Sequence, residues 1–266
     1  MTPDFQQGIR NQGYARVPFS VSQAQFQSAM EIFFEFLKLP FETKESVYFK
    51  IRPDDRGSEV GYMRYRREEG KTDNREYFHY HTHADENFGE LREKNPELDR
   101  LLNVMKPIFD EASLTLRAVL TSFEEEYPGI TKKFFDDEKF SNFYLRFLKY
   151  DVDEPGSFLA KGHYDRGSCT LALAESAPGL RLGFDDKTLT EVEHTSGEVI
   201  FMPGLKFHEV TSKEFAPIWH DVVQKSSDTY SHEASRWAIV FFADTLEIAP
   251  ITYEEAHTPI QRTNTP

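Results

Sequence analysis

From about residue 140 the chain breaks into short, apolar or alternating runs separated by Gly, Pro, Asp and Ser, and this punctuation limits its second half to many short strands. Strands are expected near Phe143–Tyr150, Cys169–Leu173, Leu180–Phe184, Glu191–Glu193, Val199–Met202, Ile218–Gln224 and Trp237–Phe242. That spacing suggests a sandwich or jelly roll.

The first half has a different period. Phe26, Met30, Phe33 and Leu37 fall on one helical face, with Ser22 and Gln25 as a capping box before them and Pro40 as a stop. A longer helical pattern runs from Leu98 through Leu101, Met105, Ile108, Ala112, Leu116, Val119 and Phe123 to Tyr127, ahead of Pro128-Gly129. Pro107 inside it is expected to kink or split the helix. With 266 residues, 39% of them hydrophobic, the chain can bury one large core. The expected layout is a single domain over 1–266: a mainly helical region at 1–135, a strand-built core at 136–245 and a polar tail at 246–266.

Charge narrows the partners. Lys and Arg number 31 against 45 Asp and Glu, and the net charge of −14 repels phosphate backbones and anionic membrane surfaces, so neither nucleic acid nor membrane is expected as a partner. The one notable basic cluster lies between Arg52 and Arg75. A lone cysteine, Cys169, forms no internal disulfide and reads as a small buried side chain. The opening residues carry neither a basic nor an apolar leader segment, so a cytoplasmic location is expected. The apolar stretch Ala238–Ala243 falls far short of the roughly 20 residues needed to span a bilayer. Against this polar background stand 24 Phe and 12 Tyr, which must line a core or a cavity.

The sharpest chemical feature is Gly162-His163-Tyr164-Asp165-Arg166-Gly167. In extended chain His163 and Asp165 project to the same side and can reach a common atom. An imidazole and a carboxylate are two members of the facial triad that holds non-haem Fe(II) and leaves coordination positions open. The third member would be a distant histidine, and His208 and His220 are both candidates.

Around this step the order of segments resembles the isopenicillin N synthase-like family of 2-oxoglutarate and Fe(II)-dependent dioxygenases. The resemblance runs from about residue 10 to 245. It is carried by Phe33–Pro40, Gly61-Tyr62 and Asp73–Phe78 in the first half. In the second half it is carried by Leu145–Tyr150, His163-Tyr164-Asp165, Pro178–Leu182, Gly197–Ile200, Gly204, Thr211–Lys213, Pro217, His220–Val223 and Arg236-Trp237-Ala238. It implies a mainly β fold with α: a double-stranded β-helix (jelly roll, cupin-like) core with N-terminal helices packed on it.

The resemblance also implies site residues. His220 lies sixteen positions after Gly204, the interval usual in that family, which makes His163, Asp165 and His220 the catalytic iron ligands and leaves His208 on the strand leading into the turn. Arg236 would hold the distal carboxylate of the co-substrate 2-oxoglutarate, because a guanidinium fork matches a planar carboxylate, with Tyr150 supplying a hydroxyl. Two positions depart from the family: Ala238 stands where a serine is usual and Leu148 where plant members often have asparagine. The interval from His220 to Arg236 is longer than usual, which suggests an insertion around Ser226–Ser235.

The implied activity is oxidation of a small molecule by molecular oxygen (hydroxylation, desaturation or cyclisation) with release of succinate and CO2. Alternatives are an Fe(II) oxidase of the same fold that does not use 2-oxoglutarate, of the isopenicillin N synthase or aminocyclopropane oxidase type, and a non-catalytic jelly-roll protein that binds a metal or ligand. Substrate contacts are expected from Tyr62, Arg64, Tyr65, Arg66 and Tyr80. The alternating His79, His81 and His83 are expected on one face of a solvated or substrate-facing strand.

Overall fold

The computed structural model describes residues 3–52, 57–65, 75–135, 142–151, 154–225, 236–245 and 248–260. In chain order the N-terminal elements are α1 (Pro3–Gln12), β1 (Ala15–Pro18), α2 (Gln23–Leu37), α3 (Phe41–Ser46), β2 (Tyr48–Lys50), β3 (Glu59–Tyr65), β4 (Arg75–Tyr80), α4 (Ala84–Asn87), α5 (Gly89–Lys94), α6 (Pro96–Thr121) and α7 (Ile130–Phe134). They are followed by β5 (Asn142–Tyr150), β6 (Phe158–His163), β7 (Cys169–Glu175), β8 (Leu180–Gly183), β9 (Thr190–Glu191), β10 (Glu198–Pro203), α8 (Leu205–Val210), β11 (Trp219–Val223), β12 (Arg236–Asp244) and α9 (Tyr253–Ala256).

Two antiparallel sheets result, one of eight strands in the order β1-β10-β7-β12-β5-β4-β3-β2 and one of four in the order β6-β11-β8-β9. Leu148, Tyr150, Ala172, Ile200 and Met202 of the larger sheet share one apolar cluster with Leu159, Leu180, Leu182 and Val222 of the smaller. The sheets therefore close face to face as a jelly roll, the expected double-stranded β-helix.

The helices cover the outer face of the larger sheet. On α2, Phe26, Ala29, Met30, Phe33 and Phe36 are buried, and the Ser22–Gln25 capping box is formed. Phe33 meets Phe147 of β5 edge to face at 6.1 Å, and Phe109 of α6 meets Phe241 of β12 at 5.4 Å. Each fully buried ring contributes roughly 1.5–3 kcal/mol, and this interface accounts for much of the aromatic content.

Three expectations change. The helix around Pro107 is neither split nor interrupted: α6 runs for 26 residues. Pro107 is exposed, so the carbonyl that loses its donor lies on the solvent side, where water replaces the missing bond. The first half, read as mainly helical, also supplies β1 to β4, which widen the larger sheet. His208 lies on α8 rather than on a strand, its Nδ1 2.9 Å from the Phe215 carbonyl.

Candidate metal centre and cavity

His163 ends β6 and pairs across the smaller sheet with His220 of β11. The two imidazole centroids lie 4.3 Å apart. This closeness depends on Gly162, where a Cβ would come within 2.7 Å of the Trp219 indole nitrogen. Asp165 follows on the turn after β6, its Oδ1 3.9 Å from His163 Nε2 and 3.8 Å from His220 Nε2. That turn is held by Gly204, whose Cβ, if present, would lie 2.3 Å from the Gly167 carbonyl oxygen. The three donors lie within 4.8 Å of one another, so that small side-chain movements would bring them onto one ion with bonds of about 2 Å.

Each donor is oriented by its neighbours. His163 Nδ1 lies 2.7 Å from the Lys161 carbonyl and His220 Nδ1 3.3 Å from the Ile218 carbonyl, which leaves both Nε2 atoms facing Asp165. The Thr170 hydroxyl donates to the other carboxylate oxygen of Asp165. Burial, then the neighbouring His220, pushes His163 down to about 3. Burial alone would raise the Asp165 carboxyl, but His220, His163 and the Thr170 hydrogen bond outweigh it and hold the group below its ordinary value. For His163 and Asp165 the resting protonation is therefore the one a metal needs, a neutral imidazole and an ionised carboxylate.

The described part of the tail, 248–260, returns to the end of β6. The Tyr164 amide donates to the Ala256 carbonyl, and its hydroxyl accepts from the Ile260 amide. His257 stacks on His163 at 5.6 Å, with Tyr253 stacked in turn on His257 at 3.8 Å. Sequence reasoning missed His257, since nothing local marks a tail residue that returns to a strand end.

Asp165 also lines a cavity of about 1880 Å³ whose wall includes Tyr62, Arg64, Arg75, Tyr77, Arg146 and Phe242. Of the expected substrate contacts, Tyr62 reaches this wall but gives its hydroxyl to Glu76 at 2.6 Å, and Arg64 is exposed on it. Tyr80 does not line it: its ring packs on Phe109 of α6 and its hydroxyl donates to Asp85. Tyr65 ends β3, and Arg66 lies outside the described residues. The proposed insertion at Ser226–Ser235 also lies outside them. The histidine row is broken after β4. His79 is buried and faces the cavity, whereas His81 and His83 sit beyond the strand, with the His83 amide donating to His81 Nδ1. Cys169 is buried, and burial raises its thiol well above the usual value.

Arg236 and Tyr150 face each other across β12 and β5, the guanidinium carbon 5.9 Å from the ring centroid. Neither lines the cavity. Arg236 is buried, donates from Nε to the Ala177 carbonyl at 3.1 Å, and is ion-paired with Glu175 of β7. Burial lowers its pKa to about 10. His194 Nδ1 lies 3.2 Å from the other oxygen of Glu175. The sequence pattern marks Arg236 but not the carboxylate already on it.

No helix among the described residues is long and apolar enough to cross a membrane. No family model and no curated protein matches the chain. Solved structures do. A 2OG-Fe(II) oxygenase family protein from Caulobacter crescentus superposes with a TM-score of 0.70 at 18% identity, over 96% of this chain and 87% of its own. The dioxygenase for auxin oxidation 1 from Arabidopsis thaliana, solved with 2-oxoglutarate, gives 0.68 at 18%, over 94% and 92%. A full-length Neurospora crassa protein, solved in complex with alpha-KG, gives 0.67 at 18%, over 96% and 84%. At such identities the likeness is one of fold: this chain has the architecture of the 2-oxoglutarate/Fe(II) oxygenases.

Proposed function

We propose that the chain is a mononuclear non-haem Fe(II) oxygenase that oxidises a small molecule with molecular oxygen, with 2-oxoglutarate as co-substrate. The observation that carries this reading is the convergence of His163, Asp165 and His220, of which Asp165 lines the cavity. Two imidazoles and a carboxylate fit Fe(II) and leave its other positions open to ligands. When bound there, the iron supplies oxygen activation, and with 2-oxoglutarate the products are succinate, CO2 and an oxidised substrate.

The protein's own part is positional. Thr170 fixes the Asp165 carboxylate, the Lys161 and Ile218 carbonyls set the two imidazoles, and the stacked His257 and Tyr253 cover the outer side of His163. Such supporting contacts hold ligand geometry and limit water at the reacting centre.

Arg236 fits the co-substrate only if it releases Glu175, because its fork is already engaged. That contact favours a second reading: an Fe(II) oxidase that takes all its electrons from the substrate. Oxygen uptake measured with succinate release over a panel of small acids, peptides and phenolic or terpenoid compounds tests both. Equal amounts of oxygen consumed and succinate formed support the first reading. Substrate-dependent oxygen uptake without succinate supports the second.

A further inference from the structure

A second arginine stands on the inward face of the larger sheet. Arg146 of β5 lies opposite His79 of β4 on one side and Val240 of β12 on the other, and its side chain lines the cavity that reaches Asp165. Its guanidinium carbon is 4.8 Å from the Tyr77 ring centroid and 4.6 Å from that of Phe242, so the planar group is clamped between two aromatic faces.

The Arg146 Nε–H donates to His79 Nε2 at 2.7 Å. The other ring nitrogen of His79 is 2.9 Å from the Glu59 carbonyl, and burial, then Arg146, holds the ring neutral. The tautomer follows: Nδ1 donates to Glu59 and Nε2 accepts from Arg146. A guanidinium has five N–H donors, and this network uses the one on Nε. Among the described residues no acceptor meets the two terminal amino groups and no carboxylate lies within ion-pair distance.

The contrast with other arginines is sharp. Arg236 is paired with Glu175, Arg181 is bidentate to Asp221 at 2.8 and 2.6 Å, and Arg92 meets Asp85 at 2.6 Å. Burial lowers the pKa of Arg146, the mark of a cation short of solvation, and Asp165 is near enough to counter that shift. A clamped, oriented cation with its fork directed into a cavity is a preorganised receptor for a planar anion.

We infer that Arg146 is the carboxylate receptor of this cavity, so that a small organic acid docks there with its hydrocarbon body among Tyr77, Phe242 and Ile251. This assignment rests on the oxygenase reading. The same wall carries Arg64, Arg75 and Lys206 beside Glu45, Glu59 and Asp165, so its overall charge does not choose among anions; the fit to a carboxylate comes from the planar Arg146 fork held between Tyr77 and Phe242. The carboxylate has two possible sources, the substrate or the distal end of 2-oxoglutarate.

Calorimetric titration with Mn(II)-loaded protein separates them. One arm compares cinnamate with cinnamamide in the presence of saturating 2-oxoglutarate, and the other titrates 2-oxoglutarate alone. Each arm is run on wild type, Arg146→Gln, Arg146→Lys and the Glu175→Gln/Arg236→Gln double variant. Unchanged Mn(II) affinity serves as the check that a variant is folded.

The expected result is that wild type binds cinnamate about tenfold or more tightly than the amide, that Arg146→Gln abolishes the preference, and that Arg146→Lys keeps part of it. The double variant is expected to keep the preference in full. A tenfold loss of 2-oxoglutarate affinity in Arg146→Gln, with no acid preference for cinnamate, would assign the same receptor to the co-substrate. The assignment is overturned if Arg146→Gln moves neither ligand by more than about twofold, or if the double variant alone removes the carboxylate preference. Failure of the oxygenase reading shows separately, as absence of Mn(II) binding at the triad.

Discussion

Glu175 meets Arg236 because β7 carries one extra residue opposite β12. The register runs Phe241 to Leu171 and Val240 to Ala172, then shifts so that Ile239 faces Ala174 and Ala238 faces Glu175. A bulge of this kind turns every later side chain to the opposite face of the sheet. Without it Glu175 would point outward; with it the carboxylate lies inside, against the guanidinium two residues from Ala238.

Removing that carboxylate leaves a buried cation unpaired. Glu175→Gln is expected to lower stability by about 3–5 kcal/mol. The freed Arg236 fork should then take up an external carboxylate, so 2-oxoglutarate should raise the melting temperature of the variant more than that of wild type. Equal ligand-induced shifts in the two proteins would show that Arg236 does not receive the co-substrate.

The identity of the second histidine ligand is testable by metal binding. His163→Ala, Asp165→Ala and His220→Ala should each lose Fe(II) or Mn(II) binding, whereas His208→Ala should retain it, since His208 lies on α8 and bonds to the Phe215 carbonyl. Calorimetry with Mn(II) reads this directly, and loss in His208→Ala with retention in His220→Ala would reverse the assignment.

Thr170 touches the metal centre only through Asp165. In Thr170→Val the carboxylate loses its hydrogen bond and becomes free to rotate, and metal affinity should fall about 10- to 100-fold with little change in melting temperature. An unchanged affinity would mean that the Asp165 orientation is set by the turn alone.

Acid should destabilise the fold through its buried histidines. His194 is held at about 4 by burial, against 6.5 for a free imidazole, so below pH 6.5 the unfolded chain binds a proton that the folded chain refuses. Stability attributable to this residue is present above pH 6.5 and is lost toward pH 4 at up to about 1.4 kcal/mol per pH unit. Urea unfolding of metal-free wild type and His194→Gln at pH 7 and pH 5 should show a smaller loss in the variant. Parallel losses would mean that His194 plays no part in acid sensitivity.

What could be read in advance follows the range of the interactions. The His163-x-Asp165 step and the Gly204 to His220 interval are local patterns, and the helix through Phe26, Met30 and Phe33 announces itself by period and cap. The pairing of Glu175 with Arg236 depends on a bulge that no residue type near Leu173 marks. The support of Arg146 by His79 depends on the register between β4 and β5, and the stacking of His257 on His163 depends on the path of the tail. Pro107 does not split α6 because the carbonyl it frees lies on the exposed side of the helix.

The most direct measurement is an anaerobic titration with Fe(II) and then 2-oxoglutarate, followed by visible absorption. One equivalent of Fe(II) should bind, and a metal-to-ligand charge-transfer band should rise with 2-oxoglutarate in wild type and be absent in His220→Ala. Fe(II) binding with no band at any 2-oxoglutarate concentration, or a band that survives the loss of His220, would contradict the proposed site.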